Sequence, residues 1–571
     1  MKFLCALCFL CGLLVPAFSL DRTAFTFTKY DLNVRIEPDQ QRLAVRGKIT
    51  LRNDSNVPQK NLSLQVSSSL DWRSISVAGK LVDFVSQPYT SDIDHTGALS
   101  EAVVSLRQEV LPKATIELEI GYEGVILLDT TRLTRIGMPN DTAKNTDWDQ
   151  IGKSFSAVRG IGYVAWYPVA TQAANLSQEN SVPATIGQWR LREAQADMRV
   201  DFCLWQRDGS SLTALMNDES TQENAEKIAG EPDTTGCRQH VFAPLGQTAP
   251  LFVIGGYETL VHTAVTISHL PEHKSAAENY AAASNNVLPF ITRWFGPPRR
   301  SARLAELPDS AAAPYENGGM LLTPLTNVDI KLAEIAAVHQ LTHAVFPSPR
   351  LWIYEGLAHF AQAIYREQQS DRETALHFMG DHLAALVEAE KALAAEHGAV
   401  TSEQSLMNTG IEELYRSKAM YVWWMLRDMV GEPALKQALA AYRPDRDTEP
   451  FYLQHLIEAQ SKRDLAWFFD DWVYHDLGLP DFRIDSVYPS QTAQGSYMVT
   501  VTVENLGGAG AAVPVTLRSF GHEETGRLEV RGRSKNSIRI IAQSPAAEVV
   551  VNDGSVPESD SSNNTFTVQK Q

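Results

Sequence analysis

The chain has 571 residues, 44% of them hydrophobic and 21% charged, enough apolar content for several packed cores and too much for a disordered chain. Its formal net charge of −18 excludes the basic footprint of a nucleic-acid binder and favours solubility. Beyond the first nineteen residues no continuous apolar run is long enough to cross a bilayer, so no stable membrane span is expected after that segment is removed.

Residues 1–19 read as a signal peptide. Lys2 gives a positive start, Phe3 to Val15 is apolar, and Ala17-Phe18-Ser19 resembles a cleavage site. The mature protein is therefore expected to be exported, periplasmic or secreted. Cys5, Cys8 and Cys11 leave with this segment, and Cys203 and Cys237 remain; they either pair in an oxidising compartment or stay as two buried thiols.

From residue 20 to about 262 the period is two. Tyr30–Ile36 and Leu43–Leu51 alternate around a Pro38-Asp39 turn, followed by Ala102–Leu106, Ile116–Tyr122, Met198–Trp205 and Ala249–Tyr257. Residues 126–180 carry Gly, Asn and Asp clusters and read as loop-rich. Near Ser275 the pattern turns helical: Ala276–Trp294, stopped by Gly296-Pro297-Pro298, then Glu373–Glu396, Gly410–Val430, Glu432–Tyr442, Phe451–Ile457 and Asp464–His475. From 481 to 571 alternation returns in Tyr497–Val503, Val513–Leu517 and Ser537–Ile541, which suits a small β-sandwich. Its Asn552–Asn564 stretch reads either as a calcium loop or as a solvated acidic turn. These shifts predict a multidomain α+β protein divided at 20–262, 263–480 and 481–571.

The chemistry concentrates between Glu334 and Gln368. His339 and His343 are four apart in an apolar helical run, which puts both imidazoles on one helix face. Pro347 and Pro349 end that helix, and a second begins near Tyr354 with Glu355 in its first turn. If it folds back, Glu355 becomes a third ligand, and two imidazoles with one carboxylate are a catalytic zinc set. Between the histidines stands Gln340, where a zinc peptidase has its glutamate base; glutamine can hold a water but cannot take its proton. A second pair, His269-Leu-Pro-Glu272-His273, has the inverted spacing H-x-x-E-H, but Pro271 breaks the helix it needs, so it reads as a strand-to-helix junction. His359, four residues beyond Glu355, is either an orienting partner of the ligands or an ordinary histidine.

With these landmarks in order, the chain resembles the membrane alanyl aminopeptidase family of gluzincin zinc metallopeptidases over roughly residues 25–485. The resemblance rests on Ala249–Tyr257, Phe290–Gly296, Gly318-Gly319-Met320, His339/His343, Trp352-Ile-Tyr-Glu-Gly356 and Tyr415 with Lys418. It implies an N-terminal β saddle domain and a thermolysin-like, mainly helical catalytic domain, while 481–571 is similar to adhesion-type modules. It further implies Zn2+ held by His339, His343 and Glu355, substrate contacts from Gly318, Gly319 and Met320, a peptide or protein substrate, and a Tyr415 hydroxyl that stabilises the developing oxyanion. Three departures accompany it. The acid comes early, with Gln362 standing where the family's third ligand usually falls. Leu321 and Leu322 replace the acid and amide of the exopeptidase motif, leaving Glu316 nearby as a substitute or as a solvated loop carboxylate. The base position is Gln340. The expected function is an exported zinc metallopeptidase of weak or altered activity; the alternatives are a catalytically silent zinc- or peptide-binding protein on the same scaffold, and a metal-free structural relic.

Overall fold

The structure is a computed structural model, and it describes residues 20–178, 181–205, 212–218, 237–298, 301–397, 405–493, 495–519 and 521–568. The expected signal peptide lies outside the described residues. No helix among the described residues is long and apolar enough to cross a membrane.

The chain is a multidomain α+β protein with N-terminal sheets, a helical middle and C-terminal strands. In the N-terminal part, Phe25–Glu37 and Arg42–Asn53 pair antiparallel, and Thr115–Val125 extends the same sheet. Alternating residues of the first two strands (Leu32, Val34, Ile36; Val45, Ile49, Leu51) are buried in one apolar core, as a period of two requires. Asp197–Leu204 adds to the other edge, parallel to Phe25–Glu37. Its neighbour Cys237–Phe242 places Cys237 opposite Cys203, and the two form a disulfide closing a separation of 34 residues.

The segment 126–180 is mostly irregular, but Ser181–Glu193 is a helix of this part that the strand pattern around it obscures. Its buried Val182 and Trp189 lie two turns apart on one face. The hairpin of Glu258–Val261 with Val265–His269 straddles residue 262 and belongs to the next sheet. That mixed sheet continues through Ala302–Glu306 and Met320–Thr323 to the short edge strand Tyr315–Asn317. Lys274–Phe295 and Ile330–Val345 pack beneath it, and Leu351–Gln369 packs on Ile330–Val345.

Two of the expected helices are broken. Glu373–Glu396 divides into Arg372–Gly380 and Leu383–His397. Gly410–Val430 begins as a π-helical turn, Glu413–Lys418, before the regular helix Ala419–Val430. Beyond Pro480, three strands (Phe482–Gln491, Tyr497–Asn505, Ser534–Ala542) and four (His522–Val530, Ala511–Ser519, Glu548–Val551, Thr565–Thr567) form two sheets. Their inward Val499, Val501, Val513 and Val515 join the core of the helical part as one continuous apolar cluster. Trp472, buried in that cluster, donates from its indole to Gly510 O at 2.7 Å.

Candidate metal centre

Asp329 caps the histidine helix Ile330–Val345 by accepting from Lys331 N at 2.9 Å, satisfying one of the orphan donors at a helix start. The helix ends at Phe346, before Pro347. After a four-residue reversal the glutamate helix Leu351–Gln369 packs back against it. Helical spacing brings the two imidazoles together edge to face, with His339 Nε2 and His343 Nε2 3.1 Å apart. Glu355 Oε1 lies 3.9 Å from His343 Nε2. One donor atom from each of His339, His343 and Glu355 falls within 4.8 Å of the others, and among the described residues no second such group of three or more is found. Tyr354 stacks on the His343 ring at 3.8 Å between centroids and fixes its plane.

Protonation suits a cation here. Burial lowers His339 to about 4, so its ring is neutral at neutral pH and a lone pair is free to ligate. Burial pushes Glu355 up, but the Arg416 guanidinium and then His343 and His339 outweigh it and hold the carboxyl well below its usual range. Two imidazoles and one carboxylate form the donor set that zinc takes in open, catalytic sites.

These residues line one side of a cleft of about 490 Å³. The far wall is the Ser181–Glu193 helix of the N-terminal part. It approaches so closely that a Cβ on Gly187 would stand 2.4 Å from Gly410 Cα, and Gln188 Nε2 donates to Asn408 O at 3.0 Å. The loop through Gly410 leads directly into the π-helical turn. A π turn carries one extra residue per turn, and here consecutive Tyr415 and Arg416 both line the cleft. Burial raises the Tyr415 phenol to about 12, so it remains a hydrogen-bond donor. Fully buried Lys418, paired with Glu390 at 2.6 Å and with Asp476, anchors the turn.

Gln340 is placed differently from the expected water-holding role. Its Oε1 accepts from the Tyr280 hydroxyl at 2.6 Å and its Nε2 donates to the Arg303 carbonyl; neither it nor these partners lines the cleft. Of the three expected substrate contacts, Gly318 lines the cleft, whereas Gly319 and Met320 do not. The reason is a hairpin: Asn317 pairs with Met320, leaving Gly318 and Gly319, at φ +62° and +74°, as its two-residue turn. Met320 then points into a small core with Trp148 and Leu322.

The same hairpin corrects the picture of Glu316 as a solvated loop carboxylate. It sits on the edge strand, lines the cleft, and brings Oε2 to 3.9 Å from His339 Nε2. Its Oε1 is buried without a hydrogen bond. Burial raises this carboxyl to about 8, with the charge of Glu355 adding to the effect. The Asn317-Gly318-Gly319 turn residues are the one local pointer to this strand, and they fall inside the stretch that resembles a binding motif. Arg416, 3.2 Å from Glu355 Oε2, and Arg190, on the wall helix, had no motif to announce them. His359 lies 5.1 Å from the His339 ring, centroid to centroid, and 5.6 Å from His382. Gln362 donates to Ile335 O at 3.1 Å and serves helix packing. Asn552 caps its own loop through Val556 O and Gly554 N, and the described residues of 552–564 assemble no metal-holding group.

No protein-family model matches the chain, and no curated protein matches it. Two solved structures similar to it are the M1 zinc metallopeptidase from Deinococcus radiodurans and a point mutant of that protein. Each is 17% identical; they cover 77% and 80% of this chain and 92% and 95% of their own, with TM-scores of 0.46 and 0.47.

Proposed function

We propose that the chain is an exported zinc metallopeptidase of the alanyl aminopeptidase type, acting on peptide bonds with weak or altered efficiency. The observation that carries this reading is the convergence of His339, His343 and Glu355 on the floor of a cleft that also presents Tyr415. Zinc in such a site supplies Lewis acidity and makes bound water more acidic. The residues of the chain divide the remaining work. Arg416 keeps Glu355 ionised, Tyr354 holds the His343 ring in plane, and the protonated Tyr415 hydroxyl donates to an oxygen as negative charge develops on it, a contact worth a few kcal/mol when preorganised. Glu316, which burial raises to about 8, stands mostly protonated beside His339 on the cleft wall and offers no preformed charge to the ammonium of a free N-terminus. The Cys203–Cys237 disulfide is in keeping with an oxidising compartment, as is the apolar N-terminal segment.

A second reading has its own observation. The Gln340 amide is tied to Tyr280 and Arg303, so no group at that position takes a proton in the cleft; a positioned base is worth ~10²–10⁴-fold. On this ground the protein binds zinc and peptides without turnover. Zinc quantification on the purified chain, alongside a peptide-library digest, tests the pair. About one zinc per chain is expected, and a content near zero removes both readings. Replacing Gln340 by Glu sets a carboxylate against the Arg303 carbonyl and favours its turning toward the cleft. A gain of ~10²-fold or more in hydrolysis in Q340E marks the parent as a base-deficient peptidase, and no gain favours the silent binder.

A further inference from the structure

Three arginines line the cleft: Arg132, Arg190 and Arg416. Two of them are fully engaged. Arg132 forks onto Asp147 through two contacts of 2.7 Å and also donates to Asp92 O and Gly162 O. Arg416 bridges Glu355 and Glu412. Arg190 differs: among the described residues its guanidinium has no hydrogen bond or ion pair, and its Nε is sealed from water without an acceptor. Its guanidinium is always charged and keeps donors unused at the cleft, with the Glu355 carboxylate acting on it only through space.

Its position is set by the fold. Gly187, three residues earlier and on the same helix face, lets the wall helix press against the Gly410 loop. Arg190 thereby stands near enough to the Tyr415 phenol and the Glu355 carboxylate for their charges to interact. Glu355 is already committed to Arg416 and, in the reading above, to a metal. Tyr315 and Tyr415, which line the cleft with Arg190, are kept neutral by burial.

We infer that Arg190 is a carboxylate-binding subsite of the cleft, so that the preferred ligands are short peptides bearing a carboxylate near the reacting bond. This rests on the reading of the cleft as a peptide site. A guanidinium takes a carboxylate through two parallel hydrogen bonds, and the carboxylate has two sources: an acidic side chain, or the C-terminus of a very short peptide. The cleft volume of about 490 Å³ admits ligands of that size.

The test is calorimetric binding to the full chain with three hydrolysis-resistant probes sharing an N-methylated peptide bond: Ala-Ala amide, Ala-Ala with a free C-terminus, and Glu-Ala amide. At least one carboxylate probe should bind about 10- to 100-fold tighter than the neutral amide, and which one does so identifies the source. In R190Q that preference should vanish while the neutral amide binds as before, which also reports that the cleft is intact. R190K, with a charge but no fork, should retain only part of the preference. Equal affinities for all three probes, no binding of any, or a preference surviving in R190Q would overturn the subsite. Zinc content measured on the same samples reports separately on the metallopeptidase reading, since the carboxylate preference is read from ratios among probes and not from turnover.

Discussion

Two clusters in this chain hold the same residue types and end in opposite arrangements. In one, His339 and His343 sit on an unbroken helix and Glu355 comes back from the next, so three donor atoms meet in a cleft. In the other, His269, Glu272 and His273 surround Pro271 at a strand-to-helix junction: Val265–His269 ends, a 3-10 turn spans Pro271–His273, and the helix Lys274–Phe295 follows. There His269 Nδ1 lies 2.7 Å from its neighbour's carbonyl, His273 pairs with Glu306, and Glu306 accepts from Leu270 N at 2.6 Å. Backbone geometry, not composition, decides whether imidazoles and carboxylates are brought together so that they could hold a cation or are spent on the chain itself.

The widest separation between the clusters is expected in metal content. H343A should lose essentially all zinc, since two remaining ligands do not make a zinc site, whereas H273A should retain the parent's stoichiometry by elemental analysis. Loss of zinc in H273A would erase the contrast. A smaller effect of opposite placement is expected from E306Q. It leaves zinc content unchanged but weakens the charged acceptor for Leu270 N and His273, lowering stability by about 1–3 kcal/mol in denaturant unfolding.

How much of this was legible beforehand follows the same line. The histidine pair, its proline stop and the returning acid all announce themselves through a helical period and a breaker, and Pro271 disqualifies the other cluster in the same way. The cleft's far side does not. Arg190 belongs to a helix set among strands, and only Val182, Ile186 and Trp189 at helical intervals hint at it. Glu316 was obscured because Gly318-Gly319-Met320 resembles a binding motif in one reading and a hairpin turn in another; only strand pairing separates them. Gln340's distance from the cleft depends on Tyr280, sixty residues away in sequence, a contact no local pattern encodes.

Another buried acid gives the smallest and finest test of the idea that surroundings set the charge. Glu558 accepts from Asn552, Asn564 and Phe482 N. Burial raises it to about 7 against those hydrogen bonds, whereas Arg416 keeps Glu355 ionised. A folded-state value above the unfolded one means that the native state holds the proton longer. The stability it confers is therefore complete below about pH 4.5, falls as the pH rises toward 7, and is gone above that. The melting temperature of E558Q should lack this slope: plotted against pH, its difference from the parent should change between about pH 4.5 and 7 and stay level on either side.

The Gly187–Gly410 contact has a consequence for anyone who would divide the chain. Backbone meets backbone there, with no side chains to slide or repack, so the two halves of the cavity are cast together like the faces of a mould. A fragment carrying residues 263–480 alone would lack the wall that Val182, Pro183, Ile186, Gly187 and Arg190 contribute, leaving the imidazoles and the acid with no chamber above them.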